Sequence, residues 1–219
     1  MQTDASWRRV IVTIAMVLLP GCVALPRQAE QPVHTFLLSP DSVGMENGTV
    51  GAKPRVGVLI VSAPQAQPGF DSARMAYMQR PFEVQYYATN QWADPPARMV
   101  MPLLVQALEH RGIAHVVVAL PTSLRGDMRL DVDQLMMVHE FLERPSRLRV
   151  GFRARVLTLP EQVVLGTRTF EAVEVTSTED AYGGAVAANR AMSKLLDQVG
   201  TWTGICARGP SSACEEWRP

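Results

Sequence analysis

The chain has 219 residues, 47% of them hydrophobic, which is enough to bury one large core or two small ones. Lysine plus arginine and aspartate plus glutamate both number 21, so the formal charge is zero; nothing in it draws the chain to DNA or RNA, and no nucleic acid partner is expected. His34, His110, His115 and His139 are scattered without a zinc-type spacing and no glycine-rich phosphate loop occurs, so neither a metal nor a cofactor is expected.

In chain order, Arg8 and Arg9 precede an apolar run over residues 10–19 that is too short to span a bilayer, and Pro20-Gly21-Cys22 comes next. That is the layout of a secretory leader over residues 1–21. Leu19-Pro20-Gly21-Cys22 resembles the lipobox of bacterial lipoproteins, in which the cysteine is acylated and becomes the mature N-terminus, so Cys22 is the expected lipidation site. The competing reading is an ordinary leader with an incidental cysteine. Several acyl chains together anchor a protein almost permanently. Val23, standing where aspartate would signal retention in the inner membrane, implies by the same resemblance transfer to the outer membrane, with the protein facing the periplasm. Residues 22–32 are polar and proline-bearing and read as a tether that extends to roughly 35 Å.

His34-Thr35-Phe36-Leu37-Leu38 predicts a first strand, and residues 41–54 a loop rich in Gly, Ser and Asn. Val56-Gly57-Val58-Leu59-Ile60-Val61 is a short β-branched run that predicts a buried strand. Residues 73–78 and 82–88 predict a hairpin turned at Gln79-Arg80-Pro81. Asp94 is placed to cap a helix with Pro95 at its first position; Val100, Leu103, Leu104, Ala107 and Leu108 form one apolar stripe along it, and Gly112 stops it. Pro102 lies inside that helix and predicts a kink or a fresh start. Residues 115–120, 127–141, 147–157 and 162–170 predict four further strands, the long ones joined by short turns, as in an antiparallel meander. Ser177-Thr178-Glu179-Asp180 has the form of a capping box for a second main helix over residues 179–199, ended by Gly200 and weakened by Gly183-Gly184. The predicted fold is therefore α/β of the α+β kind: a mainly antiparallel sheet with two main helices packed on one face. Residues 33–202 form its domain and 203–219 a short tail.

Residues 56–64 and 74–80, the helix entrance Trp92-Ala93-Asp94-Pro95, the helix face over 103–108 and the closing stretch 170–202 with Ala188-Asn189-Arg190-Ala191-Met192 together resemble the ABC-type transport auxiliary lipoprotein family, which includes the outer-membrane lipoprotein of the paraquat-inducible MCE system. None of these is a catalytic motif. The resemblance implies a non-enzymatic, lipid-anchored auxiliary component that docks an MCE-type periplasmic subunit of an ABC or related transporter, with self-association as a further option. Two other readings stay open on the sequence: a lipoprotein that holds a lipid in its own pocket, and a lipid-anchored hydrolase with a dispersed site.

Tyr86, Tyr87 and Trp92 lie close together just before the proline-stiffened helix entrance and are the candidate partner-binding residues; a core or capping role is the bland alternative for Trp92. Arg149, Arg153 and Arg155 share one face of a strand, either as a contact for acidic groups or as a solvated ladder paired with the acids of the 127–133 strand, whose Asp127, Asp131 and Asp133 lack the rest of a calcium loop. Of the three cysteines, acylation of Cys22 leaves Cys206 and Cys214, which an oxidising periplasm would pair as a disulfide within the tail.

Overall fold

The computed structural model describes residues 31–39, 56–159, 161–209 and 211–217. The leader, Cys22 and nearly all of the tether lie outside the described residues. Along the chain the elements are β1 (His34–Phe36), β2 (Val56–Val61), β3 (Arg74–Arg80), β4 (Glu83–Trp92), α1 (Pro96–His110), β5 (Ala114–Ala119), β6 (Met128–Glu140), β7 (Arg147–Thr158), β8 (Val164–Val175), α2 (Ala181–Arg208) and α3 (Ser211–Glu216).

The sheet is built around β6. Along one edge it pairs antiparallel with β7, which in turn pairs with β8. Its other edge is shared: β2 lies parallel to the start of β6, with Leu59 opposite Met128, and β3 lies parallel to its end, with Ala76 opposite Val138. Between them, the link from Ser62 to Gln67 bonds the middle of β6, as in Gln65 N–H to Val132 O at 3.0 Å. β5 extends the sheet beyond β2, and β1 beyond β4, both in parallel. The sheet is therefore mixed, which corrects the mainly antiparallel expectation. Short turns dictate antiparallel pairing only between strands adjacent in sequence, whereas here β2, β3 and β4 reach their other neighbours through long connections.

Midway along β6 the register against β7 shifts between Asp133 and Met136, and Gln134 has φ 56°. The extra residue reverses the alternation: Met128, Leu130 and Val132 face the core before it, and Leu135, Met137 and His139 after it. This bulge is what turns a histidine inward.

Both main helices pack on the same side of the sheet; each touches β6, and they touch each other. In α1 the predicted stripe of Val100, Leu103, Leu104, Ala107 and Leu108 is buried throughout. Its entrance sits one residue later than predicted. Pro95 is the cap, Pro96 the first helical residue, and Asp94 makes no capping bond but pairs with Arg98 on the surface. Pro102 starts no new helix; it lies on the exposed side, where its missing N–H removes one bond while the buried stripe is kept. Gly112 comes after the helix with φ 57°, the left-handed conformation that a helix exit asks of a glycine.

The helix α2 differs more. Asp180 is its cap, its carboxylate accepting from Gly183 N–H at 2.8 Å and from the Thr178 hydroxyl at 2.6 Å. The helix does not end at Gly200 but continues to Arg208, because Trp202, Thr203 and Cys206 prolong the buried stripe. Gly200 instead makes room for a side chain from α1's exit: a Cβ there would stand 2.6 Å from Arg111 Cδ. Gly183 and Gly184 are likewise contact points, since a Cβ on Gly184 would stand 2.7 Å from His139 Nδ1.

Trp202, Cys206 and Cys214 consequently belong to the core. Cys206, in the last turns of α2, is bonded to Cys214 in α3, with Cα atoms 4.6 Å apart and both residues buried. Trp202 Nε1 donates to Cys214 O at 2.8 Å, and Gly166 of β8 leaves the space that Cys214 Sγ fills. Closing so short a ring stabilises the fold by about 2.6 kcal/mol through chain entropy. Reduction should therefore shift the urea midpoint of the wild type downward and leave a Cys206→Ala/Cys214→Ala variant unmoved; an unmoved wild type would rule the bridge out as a contributor.

Candidate functional site

The three predicted anchor residues go to three different places. Trp92 is 2% exposed, its backbone N–H donating to Ala73 O at 2.7 Å, and it belongs to the main core. β1 pairs along its strand, Phe36 opposite Trp92, and α1 begins just after it; the side chain is packed into the core rather than presented at the surface. Tyr86 and Tyr87 point to opposite faces of β4, as adjacent strand residues must. The Tyr86 hydroxyl donates to Gly69 O at 2.8 Å, and Arg74 lies over its ring at 3.8 Å. Tyr87 faces the helix side, its ring 4.8 Å from that of Tyr77. Burial, with Asp180 adding, pushes its hydroxyl well above the ordinary pKa of 10.0.

Tyr87 opens a polar chain that sequence spacing does not announce. Its hydroxyl lies 3.0 Å from His139 Nδ1; His139 Nε2 lies 2.9 Å from Ser146 Oγ, and Ser146 Oγ lies 2.6 Å from Thr176 Oγ1. Thr176 Oγ1 also lies 3.0 Å from Ser146 O, a carbonyl to which it can donate. A His–Ser pair at this distance invites comparison with a nucleophile and its base. Here, however, Ser146 is 0% exposed. Desolvation by burial lowers the pKa of His139 to about 4, against the pull of Glu179 and Asp180. The arrangement joins β4, β6, the start of β7 and the entry to α2 in one satisfied buried network. The only hint in the sequence is a histidine at the end of an apolar run, Met136-Met137-Val138-His139.

On the opposite sheet face the arginine ladder is paired with acids. Arg153 grips Asp133 through bonds of 2.7 and 2.9 Å, Arg155 stands 4.0 Å from the same carboxylate, and Arg149 bonds Glu140 at 2.8 Å and also Glu171. Asp131 is held by Arg129 and by the Ser62 hydroxyl, and Asp127 by Val58 N–H at 2.8 Å. The three aspartates therefore serve separate partners. Among the described residues no group of three or more His, Cys, Asp or Glu is placed to hold a metal ion. Where β2 and β3 part along β6 there is an open depression of about 510 Å³, lined by Gln65, Gln67, Asp133, Gln134 and Arg153 among others. That polar lining is a poor match for an acyl chain.

Among the described residues the hairpin tip carries the most exposed large apolar side chain. Arg80 is registered opposite Glu83, which leaves Pro81 and Phe82 as the turn, whereas the sequence places Phe82 within the second strand. Phe82 has φ 66° and is 101% exposed. The left-handed conformation costs a residue with a Cβ roughly 1–2 kcal/mol, and glycine or asparagine usually takes such a place after proline. Pro81 is the signal from which the turn could have been read one residue further on. Below the tip the Tyr77 hydroxyl donates to Gln85 Oε1 at 2.7 Å, and Gln85 Nε2 donates to Glu83 Oε1 at 2.6 Å.

Residues 36–200 match the family described as ABC-type transport auxiliary lipoprotein component. No curated protein matches the chain. Among solved structures, protein XCC0632 from Xanthomonas campestris, of the DUF330 family, is 23% identical with a TM-score of 0.65, covering 81% of this chain and 95% of its own. An uncharacterised protein is similar at 11% identity and a TM-score of 0.59, covering 78% of this chain and 98% of its own. At these identities the likeness is one of fold. No helix among the described residues is long and apolar enough to cross a membrane.

Proposed function

The chain belongs to the family of ABC-type transport auxiliary lipoprotein components, and on that premise we propose that it is a lipid-anchored docking subunit at the periplasmic face of the outer membrane, capturing the MCE-type periplasmic subunit of an envelope-spanning transport system. The observation that carries this reading is the extent of the family match, which runs from β1 through most of α2 and so takes in nearly the whole folded body. The role is non-catalytic, and the burial of the His139–Ser146 pair away from solvent supports that view. Energy for transport would come from the partner complex. The acylated Cys22 and the tether would keep the folded body within roughly 35 Å of its membrane.

Affinity capture with the tagged, acylated protein from detergent-solubilised envelopes tests the reading. Recovery of the MCE-type subunit supports it; recovery of stoichiometric lipid without any such subunit would favour a lipid carrier instead. For the anchor, Cys22→Ser should leave the protein unprocessed or released into the periplasmic fraction. A variant that still sediments with the outer membrane and still takes up labelled palmitate would overturn the lipidation site.

A further inference from the structure

Phe82 combines two features that the isolated chain does not compensate. Its phenyl ring is fully exposed, and its backbone holds a conformation that glycine or asparagine would adopt with less strain. Strain retained at an exposed position directs attention to what the residue does for something outside the chain. The backbone that carries the ring is also braced. Pro81 stiffens the turn, the Tyr77–Gln85–Glu83 hydrogen bonds brace the hairpin immediately below it, and the Tyr77 ring packs on Tyr87 at 4.8 Å and on Phe141 at 6.1 Å. An aromatic side chain with few rotatable bonds on a braced hairpin loses little freedom when it is buried by a partner.

Charge and the size of the apolar footprint decide between a protein pocket and a lipid surface. The residues flanking the Phe82 turn are Arg80 and Glu83, one of each sign, whereas a loop that inserts among anionic headgroups gains from cations alone. Close to Phe82 along the hairpin Pro81 and Val84 are exposed, and so is Leu142, which follows the Phe141 whose N–H donates to Met78 O at 2.8 Å. That is the footprint of a single anchor rather than of a lipid-immersed surface.

We propose that Phe82 is a preformed knob that inserts into an apolar pocket of the periplasmic partner protein, with Arg80 and Glu83 forming the polar rim. The inference rests on the docking role set out above and names the residue that performs it. Anchors of this kind dominate interface energetics. Phe82→Gly and Phe82→Asn both fit the left-handed turn, so the full acylated chain should fold with unchanged or slightly higher thermal stability while its affinity for the MCE-type subunit falls about thirtyfold or more. Phe82→Trp should retain capture. A photoreactive benzophenone amino acid at position 82, in cells, should crosslink to the MCE-type subunit. If the wild type captures that subunit and Phe82→Gly captures it equally well, the knob is overturned and the docking role stands. If the wild type captures none, both fail. Crosslinks from position 82 to lipid alone, or to a second copy of this chain alone, would also overturn the knob.

Discussion

Trp92→Ala should lower the unfolding free energy by about 3–5 kcal/mol, the usual cost of emptying a buried aromatic site. The side chain is 2% exposed among core residues, and the strand that carries it is paired through its backbone to both β1 and the residues before β3. Domains of this size are stable by only about 5–15 kcal/mol, so the loss would be a large part of the total and would lower the melting midpoint by about 10 °C. Urea denaturation monitored by far-UV circular dichroism reads it without relying on tryptophan emission. Trp92→Phe, which keeps the apolar contact but less volume, should cost less. An unchanged midpoint for Trp92→Ala, with partner capture lost, would return Trp92 to the interface.

Acid should destabilise the fold through His139 in a defined window. Its folded pKa, about 4, lies below the 6.5 of an unburied histidine, because burial desolvates the charged form more than Glu179 and Asp180 stabilise it. Between those values the unfolded chain takes up a proton that the folded chain refuses. Stability from this group is thus full above about pH 6.5 and declines by about 3 kcal/mol as the pH falls to 4. The Asp180 carboxylate is held below its ordinary 3.8 mainly by the Gly183 N–H and then by Thr178, so its contribution is lost only at still lower pH. His139→Gln keeps a side chain able both to donate and to accept in the network but does not titrate. Plotted against pH, its stability should run flatter than the wild type's between about pH 6.5 and 4. Parallel curves would show that another group governs the acid limb.

Much of the local structure was legible in the chain. The strand β2 runs from Val56 to Val61 as its β-branched run predicts, the five apolar positions of α1 are all buried, and the arginines of β7 meet the acids of β6 and β8 as their alternation implies. Each of these results from a period of about 3.6 or of 2, which says which side of an element is apolar. The resemblance to the family was legible for a related reason, since it rests on runs of residues rather than on distant partners. The candidate site was less so. Tyr86, Tyr87 and Trp92 are neighbours in sequence, yet one lies against Arg74, one on the buried histidine and one in the core.

Sequence by itself determined where β2 and α1 lie, which side of each is apolar and that β7 carries its arginines on one face, because those depend on residues a few positions apart. Only the tertiary structure decided that β2 and β3 share one edge of β6 in parallel, that α2 runs on through Gly200, that Phe82 stands at a turn, and that Tyr87, His139, Ser146 and Thr176 meet. Periodicity names the face an element buries but not the neighbour it buries it against. Here one extra residue at Gln134 reverses the faces of β6 halfway along its length, and Arg111 fills the space left by a glycine that would otherwise read as a helix stop.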